Sequence, residues 1–170
     1  MADKLSLRDY QRDLAERLRA AESSRNVSML ALQVGEEGWL VDLTDAGEVI
    51  PVPPINTVPL TRSWFKGAAN IRGNLFSVVD FPAFLGGNAV TVTEQSRLLL
   101  IGERFRLGCA LLVDRSLGLR NPAQLKPLPA SDGERAPWLK AEYLDPEGRR
   151  WKELSLPQLV LQAEFLNVAA

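Results

Sequence analysis

The apolar residues between positions 27 and 154 come in short runs separated by glycine- and proline-rich turns, a pattern typical of β-strands. "VSMLALQV" and "GWLVDL" flank "GEE" and predict a first hairpin, while "GAANIRG" and "LFSVVDF" predict a second. "RLLLIG", "GCALLVD" and "SLGLR" follow, and a last hairpin has the turn "DPEG". Short strands at such regular spacing predict a mainly β protein, a barrel or a sandwich.

One predicted strand differs from the rest because it is rich in proline. "EVIPVPPINTVPLTRSW" carries prolines at positions 51, 53, 54 and 59. Proline cannot donate a hydrogen bond to a central ladder. The run therefore predicts an edge strand that passes into a loop.

Helical spacing is found mainly at the two ends of the chain. Residues 6–22 predict a helix that begins at Ser6 and has an apolar stripe of Leu7, Tyr10, Leu14, Leu18 and Ala21. This stripe docks on the body of the same chain or forms an extension that binds a partner. Near the other end, Ser155 is a predicted N-cap, and the inner stripe is Leu159, Val160, Ala163 and Leu166.

Composition removes several function classes. The chain has 170 residues, no histidine and a net charge of −1. It therefore has no imidazole base, no histidine ligand and no global field to attract nucleic acid. Cys109, the single cysteine, excludes an internal disulfide and in practice a zinc site, and its apolar strand suits a small buried hydrophobe. We expect no catalytic residues, no metal and no cofactor.

The chain has no apolar signal core at its beginning and no run approaching the ~20 apolar residues of a membrane span. We therefore expect a cytoplasmic protein without direct membrane insertion. Two alternatives to a partner-binding protein remain open. One is a nucleic-acid-binding barrel that stacks bases on its four tryptophans, and the other is a small-molecule sensor.

The stretch "WFKGAANIRGNLFSVVDF" at 64–81 contains a charged residue, Arg72, in the most apolar part of the chain. Between two apolar strands this pattern predicts a buried or half-buried cation. Such a charge needs a partner, and a guanidinium suits a carboxylate or several carbonyls. A structural ion pair and a functional contact explain it equally well.

This stretch resembles the signature of CheW-like domains, the chemotaxis coupling proteins. The matching residues are Gly67, Asn70, Ile71, Arg72, Gly73, Val78, Val79 and Asp80. Weaker likeness extends over roughly residues 27–167. Ser77 stands where the family usually has proline, and Ala46 and Gly47 replace larger residues. The helical extension, the proline-rich edge and the length are similar to the branch that serves type IV pilus twitching motility, the PilI-like proteins.

The resemblance implies two packed SH3-like five-stranded barrels at residues 25–168, preceded by a helical extension at 1–24. It implies a non-enzymatic adaptor that couples the cytoplasmic tip of a methyl-accepting receptor to the regulatory domain of a CheA-type histidine kinase. It also implies a receptor-binding groove between the barrels, with Val41, Ala46, Ile71 and Leu75 as its walls. A sensor would use the same cleft.

The resemblance further implies that Arg72 pairs with Glu48 across neighbouring strands. Such a pair would hold the proline-rich edge against the signature strand and so shape the groove. If the pair is buried, removal of one partner leaves the other charge buried and unpaired, and the loss of stability is large. If the pair lies at the exposed rim, the loss of stability is small.

Overall fold

The structure is a computed structural model that describes residues 11–17 and 28–170. Within that part, the helical segments are α1 (11–17), α2 (Phe81–Phe84), α3 (Leu156–Leu159) and α4 (Ala163–Leu166). The strands are β1 (Met29–Val34), β2 (Glu37–Asp42), β3 (Ala46–Pro51), β4 (Phe65–Ile71), β5 (Asn74–Asp80), β6 (Arg97–Ile101), β7 (Cys109–Val113), β8 (Arg115–Arg120), β9 (Lys126–Pro127), β10 (Leu139–Leu144) and β11 (Arg150–Leu154). None of these helices is long and apolar enough to cross a membrane.

The described strands form two sheets, which confirms the predicted mainly β fold. Sheet A has the order β8-β1-β2-β11-β10-β9, and sheet B has the order β3-β6-β7-β5-β4. Most neighbouring strands are antiparallel, but β11 with β2 and β5 with β7 are parallel pairs. The proline-rich strand β3 is an edge of sheet B, as its sequence predicts.

Three apolar clusters explain why the central strands are buried along both faces. In β6, Leu99 and Ile101 belong to a large cluster that both sheets share, whereas Leu98 and Leu100 belong to a cluster of sheet B alone. The residues of β1 are divided in the same way, since some belong to the shared cluster and others to a cluster of sheet A. Because successive side chains point to opposite faces of a sheet, each central strand serves two cores.

The apolar stripe predicted near the end of the chain needs correction. The C-terminal stripe breaks, because Gln162 has an extended backbone (φ −75°, ψ 126°) that ends one turn and begins another. Because the second turn does not continue the first helix, its inward-facing position differs from the predicted ones. Phe165 is buried, whereas Ala163 and Leu166 are exposed. Ser155 does cap α3, accepting a hydrogen bond from the amide of Gln158 at 3.4 Å.

The side chains of residues 11–17, including Leu14, are exposed. Docking of this part of the predicted helix on the body of the chain is therefore wrong. The remainder of the predicted helix 6–22 and the predicted domain boundary at 24–25 lie outside the described residues. The boundaries 1–24 and 25–168 stay predictions.

Cysteine and tryptophan side chains belong mainly to the core. Cys109 is buried, and burial raises the pKa of its thiol to about 12. Trp39, Trp64 and Trp151 are buried, and Trp138 packs partly buried against the shared cluster. The three buried indoles are not available for stacking on bases.

Candidate partner-binding site

The signature residues form the hairpin of β4 and β5 and the turn between them. Arg72 and Gly73 occupy the turn with φ of 52° and 83°, the two positive values that a tight two-residue hairpin turn requires. Asn70 stabilises the turn, since its Oδ1 accepts a hydrogen bond from the amide of Gly73 at 2.9 Å. Asn70, Arg72 and Gly73 of the motif thus have a local structural reason.

Gly67 and Asp80 hold the other end of the hairpin. A Cβ at Gly67 would lie 2.0 Å from the carbonyl oxygen of Asn56, so only glycine allows the two backbones to approach. The carboxylate of Asp80 accepts from the amides of Ala83 at 3.1 Å and Val90 at 2.9 Å. Asp80 thereby caps α2 and fixes the loop that leads to β6.

Arg72 is exposed at the turn, so the prediction of a buried or half-buried cation is wrong. Its guanidinium donates to both carboxylate oxygens of Glu48, at 2.6 and 2.5 Å. The side chains remain 69% and 44% exposed. The hydrogen bonds from Arg72 lower the pKa of Glu48, and those to Glu48 raise the pKa of Arg72. The pair is bidentate but lies in water.

The strands that carry this pair are not neighbours in the ladder. Glu48 belongs to β3 and Arg72 follows β4, which are the two opposite edges of sheet B. The pair therefore joins the edges of the sheet at one end rather than linking adjacent strands. Five residues beyond β3, Asn56 forms a bridge with Ala68 of β4 and joins the edges again.

Beneath the ion pair lies a depression of about 330 Å³, here called the mouth of sheet B. Its lining comprises Gly47, Glu48, Ile71, Arg72, Asn74, Phe76, Leu100, Ile101 and Glu103. The apolar residues Ile71, Phe76 and Leu100 also belong to or pack on the apolar cluster of sheet B. The mouth is thus an opening onto that cluster with charged residues at its rim. Its volume is near the lower end of the ~300–1,000 Å³ typical of ligand pockets.

The structure brings only part of the predicted groove to this surface. Ile71 lines the mouth, whereas Leu75 is not part of its lining and has 71% of its surface exposed. Since successive side chains of a strand point to opposite faces of the sheet, Leu75 points away from the face on which Asn74 and Phe76 line the mouth. Ala46 begins β3 and is partly buried against the shared cluster. Val41 is 0% exposed within that cluster and cannot line a surface groove, which corrects its assignment as a wall residue.

The mouth also lies within sheet B, whereas the prediction placed the groove between the barrels. Sequence reasoning missed Phe76, Leu100 and Glu103, which line it. Alternation along β5 and β6 assigns the first two to a buried face but does not show which end of the sheet is open. Glu103 lies in a 3-10 turn after β6 and carries no motif. Among the described residues no group of three potential metal ligands comes together.

Comparison with known proteins identifies the family. Residues 28–164 match the CheW-like domain family. Protein PilI of Pseudomonas aeruginosa is 30% identical over 116 residues, which cover 65% of this chain and 65% of that protein. The chemotaxis protein CheW of Thermotoga maritima is 28% identical over 58% of this chain and 64% of its own length. The alignments thus span just under two thirds of both relatives.

A solved structure shows the same fold. The scaffolding protein TtCheW from Thermoanaerobacter tengcongensis superposes with a TM-score of 0.63 at 19% sequence identity. The match covers 77% of this chain and 90% of that chain. The family match covers more than half of the sequence and includes both sheets, so the chain belongs to the CheW-like domain family.

Proposed function

We propose that this protein couples the helical cytoplasmic tip of a methyl-accepting receptor to the regulatory domain of a CheA-type histidine kinase. As a member of the CheW-like family it is a scaffold and not an enzyme. The observation that carries the receptor part is the signature hairpin, which lines the apolar mouth of sheet B on one face and carries the exposed Leu75 on the other. An apolar helix face in a groove is a common recognition mode.

The ion pair suits this role because it shapes the mouth without closing it. Glu48 and Arg72 hold the proline-rich edge beside the signature turn. A helix that enters the mouth would contact its apolar floor. The charged rim would fix the direction of approach.

The likeness to PilI supports a place in a type IV pilus pathway that controls twitching motility. A cytoplasmic location follows from this proposal, since both partners present their binding parts there. Expression in a strain that lacks its own PilI protein tests the pathway. We expect restored twitching. A protein that fails to restore twitching there but restores flagellar chemotaxis in a strain that lacks its CheW protein would contradict the assignment.

Receptor binding is tested by measuring the affinity of a receptor-tip fragment by calorimetry. Leu75→Asp should lower that affinity at least about tenfold, because a charge replaces an exposed apolar contact. Leu119→Asp is the matched control, since Leu119 is a well-exposed leucine on the other sheet. Equal affinities of the two variants would remove Leu75 from receptor binding.

Ala46→Asp is a less clean test than Leu75→Asp. The resemblance to the family predicts that this change abolishes receptor binding and leaves the fold intact. Because Ala46 is partly buried against the shared cluster, a carboxylate there also perturbs packing. Its effect on binding is interpretable only beside an unfolding curve of the same variant.

A further inference from the structure

The residues at 168–170 pair with the loop that precedes β4. The amide of Arg62 donates to the carbonyl of Val168 at 2.8 Å, and the amide of Ala170 donates to the carbonyl of Leu60 at 3.0 Å. Between them Thr61 and Ala169 form an antiparallel bridge. These residues lie beyond the family match, which ends at 164.

The same loop covers the free edge of β4. The amide of Asn56 donates to the carbonyl of Ala68 at 2.8 Å, and the amide of Ala68 donates back to Asn56 at 2.9 Å. Gly67 permits this close approach. Strand β4 is an edge of sheet B and runs directly into the turn that carries Arg72. The position of the loop is therefore transmitted to the mouth.

The backbone conformation of Leu60 indicates that contacts with other parts of the chain hold this loop in place. Its φ is 58°, a left-handed conformation that leucine disfavours. Its side chain is 87% exposed, so packing of that side chain does not compensate for the strain. The hydroxyl of Thr61 donates to the carbonyl of Val58 at 2.9 Å and closes the turn. Such conformations persist where surrounding contacts determine them.

We infer that Val168–Ala170 act as a strap that positions the mouth of sheet B for its partner. The strap fixes the loop at 60–62, the loop fixes β4 through Asn56, and β4 sets the place of Arg72 relative to Glu48. Val168 and Ala170 are thus positioning residues, which act through backbone hydrogen bonds and without touching the partner. The part that concerns partner affinity rests on the proposed function.

Replacement of one backbone donor tests the strap. Ala170→Pro removes the N–H that donates to Leu60, whereas Ala170→Ser keeps that N–H and is the matched control. In the proline variant, exchange of the Ala68 amide should accelerate roughly 2- to 10-fold, the change expected for the loss of one hydrogen bond. A chain shortened after Asn167 should show a larger acceleration.

Two further readouts report on the mouth itself. The NMR titration midpoint of Glu48 should rise toward its ordinary value in the proline variant, because Arg72 is held less firmly beside it. Affinity for the receptor-tip fragment should fall by a factor similar to that for exchange. Protection of the buried Cys109 thiol from labelling shows that each variant remains folded.

The outcomes separate the strap from the proposed function. Unchanged Ala68 exchange and an unchanged Glu48 midpoint in both the proline and the shortened variant overturn the strap. Changes in both readouts with undiminished receptor affinity overturn its role in partner binding. If the unaltered protein itself fails to bind the receptor-tip fragment, the proposed function fails, while exchange and titration still decide whether the strap positions the mouth.

Discussion

Asp80 and Glu48 are both carboxylates paired with a cation, yet they lie in opposite surroundings. Asp80 is 0% exposed, lies 3.3 Å from the amine of Lys66 and accepts two backbone amides. Glu48 and its partner Arg72 are largely in solvent. Loss of the buried Asp80 carboxylate leaves the buried amide of Val90 without an acceptor, whereas water replaces an exposed partner readily. The comparison predicts that Asp80 determines stability and that the Glu48–Arg72 pair determines the shape of the mouth.

The largest expected effect is that of Asp80→Ala. This change leaves the amides of Ala83 and Val90 without an acceptor and Lys66 without its counter-charge. The free energy of unfolding should fall by about 3–5 kcal/mol, the range for a broken buried pair. Urea unfolding measures this, with Asp80→Asn as a milder control that keeps one acceptor. A loss below about 1 kcal/mol would show that water enters the site and replaces the carboxylate.

The two ends of the signature hairpin should respond very differently to an added methyl group. Gly67→Ala brings Cβ against the backbone of Asn56 and should destabilise the protein by more than ~2 kcal/mol, because the paired edge must separate. At Gly73 a Cβ meets nothing within 4 Å, so Gly73→Ala should cost only the ~1–2 kcal/mol of a left-handed residue. Thermal unfolding of both variants gives the order. Equal losses would mean that backbone strain, and not close approach, explains Gly67.

A smaller effect on stability is expected at the exposed pair. Glu48→Gln and Arg72→Gln should each change the unfolding midpoint less than either glycine variant, because both side chains are largely in solvent. Their coupling should instead appear in affinity for the receptor-tip fragment, measured by a double-mutant cycle. Strictly additive losses of affinity would show that the two side chains act separately. In that case Arg72 would contact the partner directly or bind backbone carbonyls within its own turn.

The smallest effect concerns pH. The hydrogen bonds from Arg72 lower the pKa of Glu48 below its ordinary value of 4.5. Since the folded pKa is the lower one, the contribution of the pair is present above pH 4.5 and is lost as the pH falls through the folded pKa. The NMR titration of the Glu48 carboxyl should therefore have its midpoint below 4.5 in the unaltered protein and nearer 4.5 in Arg72→Gln. Identical midpoints would show that the pair does not persist in solution.

Prediction from the sequence was most successful where the cause is local. The turn "DPEG" forms as expected, with the amide of Gly148 donating to the carbonyl of Asp145 at 3.0 Å. The prolines of β3 predict an edge strand, which the structure confirms, and Ser155 caps α3 as predicted. In each of these cases the relevant contacts lie within a few residues, so composition and spacing are sufficient.

Prediction failed where the answer depends on how distant segments meet. Arg72 was expected to be buried because its neighbours are apolar, but the turn places it outward while Ile71 faces inward. Val41 was assigned to a groove, yet both sheets cover it. Ser77 shows a finer case, since its amide donates to the carbonyl of Gly108 at 2.7 Å, a bond that the proline usual in the family would not make.

The sequence by itself determined the strands, their turns, the proline-rich edge and the signature hairpin. These follow from backbone preferences and from the period of apolar residues, which act over short distances. Only the tertiary structure decided that alternate residues of one strand serve two different cores, that opposite edges of sheet B meet at Glu48 and Arg72, and that residues 168–170 hold the loop before β4. Those arrangements depend on contacts between residues far apart in the chain, and no local preference specifies them.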